Sequence, residues 1–188
     1  MRLMRSLFAG IGSLALAGGV FAQVTPAKPE KPEPAPITLK VGDRAPDVKI
    51  DEWVKGEKFT GFEKGTVYVV EFWATWCGPC LKSIPHITDL QRHYKDVVFL
   101  GVAASERVPA DGKDERLAKL KDFVTKKGAA MDYRVAFDGD GDMKNDWMRA
   151  AGENGIPCAF IVGKDGKISS IGHPAEIDEP LKKAVAKK

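Results

Sequence analysis

Val69-Val70-Glu71-Phe72-Trp73-Ala74-Thr75-Trp76-Cys77-Gly78-Pro79-Cys80 decides how the rest of the chain is read. Its first half is an apolar run of β-branched and aromatic residues, the composition of a buried strand. A short turn follows. Cys77-Gly78-Pro79-Cys80 then opens a segment in which Leu81, Ile84, Ile87, Leu90 and Tyr94 recur at helical spacing. Cys77 therefore falls at a helix N-terminus, where free backbone N–H groups and the helix dipole favour a thiolate.

Toward the C-terminus, Pro85 lies inside the helix expected over residues 77–94 and should kink it. Residues 97–103 are a second buried strand, which completes a βαβ unit with a right-handed crossover. A polar loop over 105–114 leads into a helix carrying Leu117, Leu120, Phe123 and Val124, with Gly128 as its stop. A short strand at 133–137 and a short helix at 143–151, closed by Gly152, come next. Strands at 158–162 and 168–171 flank Lys164-Asp165-Gly166-Lys167, a strong hairpin signal. The last helix, 178–186, buries Leu181, Ala184 and Val185. On the N-terminal side, a turn at 41–46 enters a strand at 47–53. Lys55-Gly56 is expected to turn the chain into a second short strand reaching Phe59. The class is α/β, with a central mixed sheet, helices on both faces and an antiparallel hairpin at the end.

With 188 residues, the chain fits one domain plus appendages. The first 22 residues have the parts of a secretory signal: basic Arg2 and Arg5, an apolar stretch over 7–20, and Val20-Phe21-Ala22 as a cleavage site. An uncleaved membrane anchor is the alternative. Residues 23–36, rich in Pro, Lys and Glu, read as an extended linker, and residues 37–188 as the domain. The formal net charge is +3, and removing Arg2 and Arg5 leaves 27 basic against 26 acidic side chains. Nothing in this balance supports nucleic-acid binding. Export places the protein in the periplasm or another oxidising space, where two of its three cysteines can be disulfide-bonded.

Two cysteines on the first turn of one helix stand close enough to form and break a disulfide, the outer attacking and the inner resolving. The other readings are a structural disulfide, half of a zinc site, or two inert thiols. A disulfide closing so short a loop restrains the unfolded chain little. No second CxxC or His pair supplies the four ligands zinc takes. Redox chemistry is the expectation.

Trp73-Ala74-Thr75-Trp76-Cys77-Gly78-Pro79-Cys80, Pro85 five residues on, and Gly155-Ile156-Pro157 before a strand resemble the thioredoxin superfamily. The Gly42-Asp43-Arg44-Ala45-Pro46 entry and the added strand–helix region are similar to its exported branch, the TlpA/ResA-like thiol:disulfide oxidoreductases. The likeness covers residues 37–188. It implies a thioredoxin-like α/β fold with an N-terminal extension and a strand–helix insertion. Cys77 is then the nucleophile, Cys80 the resolving thiol, and Trp73 and Trp76 flank the site. Trp76, Gly78, Pro79, Ile156 and Pro157 form the substrate platform, Pro157 resembling the family's cis-proline. The resemblance also implies the Cys77–Cys80 disulfide as sole redox group, with no cofactor and no metal. It implies protein disulfides as substrates, a membrane electron donor of the DsbD/CcdA type, a role in cytochrome c maturation, and a monomer. Gly-Pro between the cysteines resembles reducing members.

Glu71 interrupts an apolar strand, on the alternation face shared by Val67, Val69 and Trp73. Burial raises its pKa, as suits a group exchanging protons with Cys80; an acid at a wet strand end is the plainer reading. Cys158 departs from the family pattern and is expected to be an inert core thiol. Asp138-Gly139-Asp140-Gly141-Asp142 starts like a calcium loop but lacks the later glycine and glutamate, and reads as a turn whose last Asp caps the next helix. His86 and His93 are assigned to a solvated helix face, and His173 to no role. Two rival functions remain: a peroxide-reducing enzyme, with Thr75 two residues before Cys77, and a copper chaperone, which needs a third ligand.

Overall fold

The structure, a computed structural model, describes residues 36–110 and 112–187. The signal segment, residues 1–22, and all of the linker but Pro36 lie outside the described residues. Six strands form one mixed sheet: β1 (Glu52–Lys55), β2 (Val67–Trp73), β3 (Val97–Ala103), β4 (Arg134–Phe137), β5 (Cys158–Val162) and β6 (Ile168–Gly172). Their order is β1-β4-β3-β2-β5-β6. β2, β3 and β4 are parallel, while β5 and β6 run antiparallel to their neighbours and β1 antiparallel to β4. The helices are α1 (Gly78–His93), α2 (Arg116–Lys127) and α3 (Asp178–Ala186).

All seven residues of β2 are buried, because the strand is flanked by β3 and β5 and covered on both sheet faces. On one face Val67, Val69 and Trp73 meet Ile84, Ile87 and Leu90 of α1, Leu120 and Val124 of α2, and Leu181 and Ala184 of α3. On the other face Tyr68, Val70 and Phe72 meet Trp147, Met148 and Phe160. Among the described residues, none of α1, α2 or α3 contributes to the packing of this second face. It is closed by a π-helical stretch, Lys144–Arg149, and by the N-terminal segment, which packs Leu39 and Ala45 there. The π pattern shows in Ala150 N–H donating to Asn145 O at 3.1 Å and Glu153 N–H to Met148 O at 2.8 Å.

Two expectations need correction. No strand follows Lys55-Gly56: β1 pairs with β4 instead, and Phe59 joins an aromatic cluster, 5.4 Å from Trp53 and 5.3 Å from Tyr68 between ring centres. An aromatic side chain found a packing partner without needing a ladder. The helix after the Asp/Gly turn is capped by Asp138, not Asp142; Met143 and Lys144 N–H donate to its carboxylate at 3.2 and 2.9 Å. Residue 142 already lies inside the helix, whose first turn has Asn145 N–H donating to Gly141 O at 2.9 Å, so the cap is supplied from outside it. Pro85 lies inside α1, as expected.

The N-terminal extension is tied at two points. Thr38 and Leu39 N–H both donate to Ala150 O, at 2.8 and 2.9 Å, and Arg44 bridges to Lys167 at the β5–β6 turn. Trp147 is fully buried, edge-on to Phe160 at 5.3 Å and to Phe62 at 5.8 Å. It holds the covering layer to the sheet. Trp147→Ala should therefore cost about 3–5 kcal/mol in urea unfolding with an unchanged slope; a loss near zero would show that this layer is held elsewhere.

Candidate active site

β2 and β3 end side by side, Trp73 in register with Ala103, and the site lies just beyond these C-terminal ends. After β2, Ala74 and Thr75 turn the chain. Cys77 then becomes the N-cap of α1, with extended backbone (φ −84°, ψ 100°) and its sulfur accepting from Cys80 N–H at 3.2 Å. Pro79 sits in the first helical turn, where no N–H is needed. Cys77 and Cys80 are joined by a disulfide, their Cα atoms 5.2 Å apart. Cys80 is fully buried, and Cys77 is only 4% exposed. The outer sulfur is thus less open than its place at a helix start suggests, though it borders a groove.

That groove measures about 560 Å³. Trp76, Cys77, Gly78, Pro79 and Ile156 all line it, which gathers the nucleophile and the predicted platform except Pro157; Cys80 and Glu71 are not part of its lining. The Ile156–Pro157 bond is cis, as its motif led us to expect, and the Ile156 carbonyl oxygen lies 3.7 Å from Cys77 Sγ. The opposite wall includes Lys144, Met148, Arg149 and Glu153. Sequence reading passed over these four, because no motif marks the π-helical stretch as a site wall.

It also passed over the loop after β3. Glu106 takes hydrogen bonds from Thr75 N–H at 2.6 Å and from Thr75 Oγ1 at 2.8 Å. Trp76 Nε1 donates to Ser105 O at 2.8 Å, and the Arg107 guanidinium stacks 3.9 Å above the Trp76 ring. Trp76 is 44% exposed yet held at its edge and its face. The available signal was position: polar residues at the C-terminal end of the strand next to β2 fall beside the site in an open α/β sheet.

Strand alternation puts Glu71 on the sheet face where Val67, Val69 and Trp73 pack with the Cys77–Cys80 pair; it is 2% exposed, and neither carboxyl oxygen has a hydrogen-bond partner. Burial alone pushes its pKa up to about 8. The wet strand end is thereby ruled out. Cys158 occupies the other face, with Phe72 and Phe160. It is free and buried, and burial first, with Glu153 second, pushes its thiol up to about 12. Its burial in the core is as expected. His86 Nε2 stands 2.9 Å from Asp178, His93 packs on Tyr94, and His173 Nδ1 accepts from Ala175 N–H at 3.1 Å, all away from the groove wall. Among the described residues no group of three His, Cys, Asp or Glu side chains stands together as a metal site.

The family profile named Redoxin matches residues 40–188. Protein FixW of Rhizobium leguminosarum is 33% identical over 79% of this chain and 67% of its own length. Thiol-disulfide oxidoreductase ResA of Bacillus cereus is 30% identical over 89% of this chain and 87% of its own. Among solved structures, a candidate thiol:disulfide interchange protein DsbE from Chlorobium tepidum superposes with a TM-score of 0.59 at 24% identity, over 79% of this chain and 99% of that one. StoA from Bacillus subtilis superposes at 0.54 and 20% identity, over 74% and 99%. These two likenesses speak for the fold, a thioredoxin-like α/β sheet.

The buried carboxyl has a consequence for stability. Glu71 ionises near 4.5 when unfolded and near 8 when folded, so the folded state holds the proton more tightly. Its stabilising effect is complete below pH 4.5 and is lost as pH rises through about 8, a span worth about 4–5 kcal/mol. The oxidised protein should lose stability steadily between these pH values in denaturant titrations, and Glu71→Gln should flatten the profile there. A wild-type profile as flat as that of the variant would contradict the burial.

Proposed function

We infer that this chain, which belongs to the redoxin family and to its TlpA/ResA-like thioredoxin-fold thiol–disulfide oxidoreductases, is an exported enzyme that reduces protein disulfides. The observation that carries the reading is the Cys77–Cys80 disulfide at the N-terminus of α1, with Cys77 bordering a groove and the pair packed on the sheet face that holds a buried, unpartnered carboxyl.

The reaction starts from the dithiol. The Cys77 thiolate, favoured by the helix N-terminus, attacks one sulfur of a substrate disulfide and expels the other as a thiolate. A mixed disulfide joins Cys77 to the substrate. Glu71 as carboxylate takes the proton from Cys80, whose sulfur attacks Cys77 Sγ and releases the second substrate thiolate. Two electrons pass from the pair to the substrate, whose sulfurs take up two protons. Glu71 is left protonated, the form that its burial favours in the oxidised enzyme. The Ile156 backbone beside Cys77 would hold an extended substrate segment, with Trp76, Gly78 and Pro79 as the rest of the platform.

The electrons reside on the cysteines, so the scheme needs no cofactor or metal. Gly-Pro between the cysteines favours the reducing direction, and a reductase in an oxidising space needs re-reduction. We assign that step to a membrane donor of the DsbD/CcdA type, with cytochrome c maturation as the setting and a monomer as the working form. Residues 1–22 as signal peptide, 23–36 as linker and 37–188 as domain complete the proposal. No helix among the described residues is long and apolar enough to cross a membrane. The peroxidase alternative is disfavoured because the Thr75 hydroxyl and N–H are both committed to Glu106.

Insulin reduction with a dithiol as electron source tests the reading. Cys77→Ser should abolish turnover, Cys80→Ser should accumulate the mixed disulfide by mass, and Glu71→Gln should slow turnover by about 100-fold. Peroxide consumption surviving in Cys80→Ser, without insulin reduction by the wild type, would replace this reading with the peroxidase one.

A further inference from the structure

The proton step leaves a question of charge. Before it accepts the Cys80 proton, Glu71 is a carboxylate sealed inside the core, and a buried charge without donors is costly. Its neighbours in the sheet offer none. Glu71 is in register with Gly101 on β3 and with Ala159 on β5. The hydrophobic side chains of that face carry polar atoms only at the Cys77–Cys80 pair, Trp73, Tyr133 and, at the margin, Tyr94, and the buried hydroxyls of Ser83 and Thr88 on α1 already donate to Pro79 O and Ala130 O.

Two of these side chains carry buried donors with nothing to donate to. Trp73 Nε1 and the Tyr133 hydroxyl lack partners, as do both Glu71 oxygens. Such groups are few in a folded protein, and each calls for a reason. Here they gather around one backbone position. A Cβ on Gly101 would stand 3.0 Å from Trp73 Nε1 and 3.0 Å from Tyr133 Cε2. Gly101 therefore keeps open the ground directly across from Glu71, and Tyr133, just before β4, lays its ring over it. Tyr133 is 5% exposed, and burial first, then the charge of Glu71, pushes its phenol above its ordinary pKa. It stays a donor throughout the working pH range.

We propose that Tyr133 is a positioning residue for disulfide exchange, its hydroxyl donating a hydrogen bond to Glu71 in the carboxylate state that accepts the Cys80 proton. Tyr133 touches neither the substrate nor the reacting sulfurs. It acts by stabilising the charged form of Glu71, so that enough carboxylate exists near neutral pH to deprotonate Cys80. The inference rests on the role given to Glu71 above. The charged or titratable groups facing Glu71 are the cysteine pair from α1 and Tyr133 beside β4, with Cys158 of β5 behind the sheet. The charged ends nearest Tyr133 are engaged: Lys55 Nζ with the Gly128 and Met131 carbonyls, and Arg134 with Glu57.

The test uses the reduced full-length protein and a chromogenic aryl disulfide. The first coloured thiolate reports attack by Cys77 and the second reports resolution by Cys80. In the wild type the second step should quicken with rising pH as Glu71 ionises. Tyr133→Phe removes one unpartnered oxygen and should fold. It should move that midpoint upward by about one pH unit, slowing resolution about tenfold below it, with the first step unchanged. An unmoved midpoint in Tyr133→Phe, with the pH dependence lost in Glu71→Gln, would overturn the role of Tyr133 and leave that of Glu71 intact. A pH dependence that persists in Glu71→Gln would overturn both. In the wild type itself, the infrared difference between oxidised and reduced forms should contain a tyrosine band that Glu71→Gln removes. Its absence would also overturn the proposal.

Discussion

A carboxyl group buried in the middle strand, with no hydrogen-bond partner among the described residues, sits at the centre of this sheet. β2 is the middle of the sheet and every residue along it is buried, so Glu71 cannot turn toward solvent without breaking the strand. The residues in register on either side, Gly101 and Ala159, are too small to pair with it. The only inexpensive state for such a group in the oxidised protein is the neutral acid. A proton is thereby stored in the same core cluster as Cys80, and the chemistry assigned to the cysteine pair draws on it.

The rest of the architecture serves the exposed end of that column. Because β2 and β3 are parallel neighbours, their C-terminal ends meet the start of α1 and the loop that carries Glu106. This loop grips Thr75 and Trp76 with three hydrogen bonds and a stacked guanidinium. The turn before Cys77 is held from outside the CxxC motif itself. Across the groove, the π-helical stretch anchored by Trp147 presents Lys144 and Arg149 to whatever lies against Cys77. The same layer receives the N-terminal extension at Ala150. Packing of the second sheet face and the shape of the groove are therefore one problem rather than two.

Much of this was legible in the residues. The strand–CGPC–helix junction, the βαβ unit, the final hairpin and α3 all follow local rules, in which period, turn chemistry and capping agree. Glu71 was legible because an acid inside an apolar strand has few explanations. What escaped was set by tertiary contact. Phe59 lies in a stretch that reads as a strand but is held by aromatic packing. Asp138 caps where Asp142 was expected, because residue 142 is already part of the helix. Glu106 is an ordinary acid in a polar loop until the sheet order brings it to Thr75. Tyr133 reads as a strand residue, and only the missing side chain at Gly101 shows how closely its ring approaches the backbone position in register with the buried acid.

The central claim is that Glu71 and the cysteine pair share one proton economy. Isotope-edited nuclear magnetic resonance of the Glu71 carboxyl carbon, titrated in the oxidised and the reduced protein, measures it most directly. The account predicts a midpoint near 8 in the oxidised form and a different midpoint once Cys77 and Cys80 are reduced. A midpoint near 4.5, or one that ignores the redox state of the pair, would contradict it.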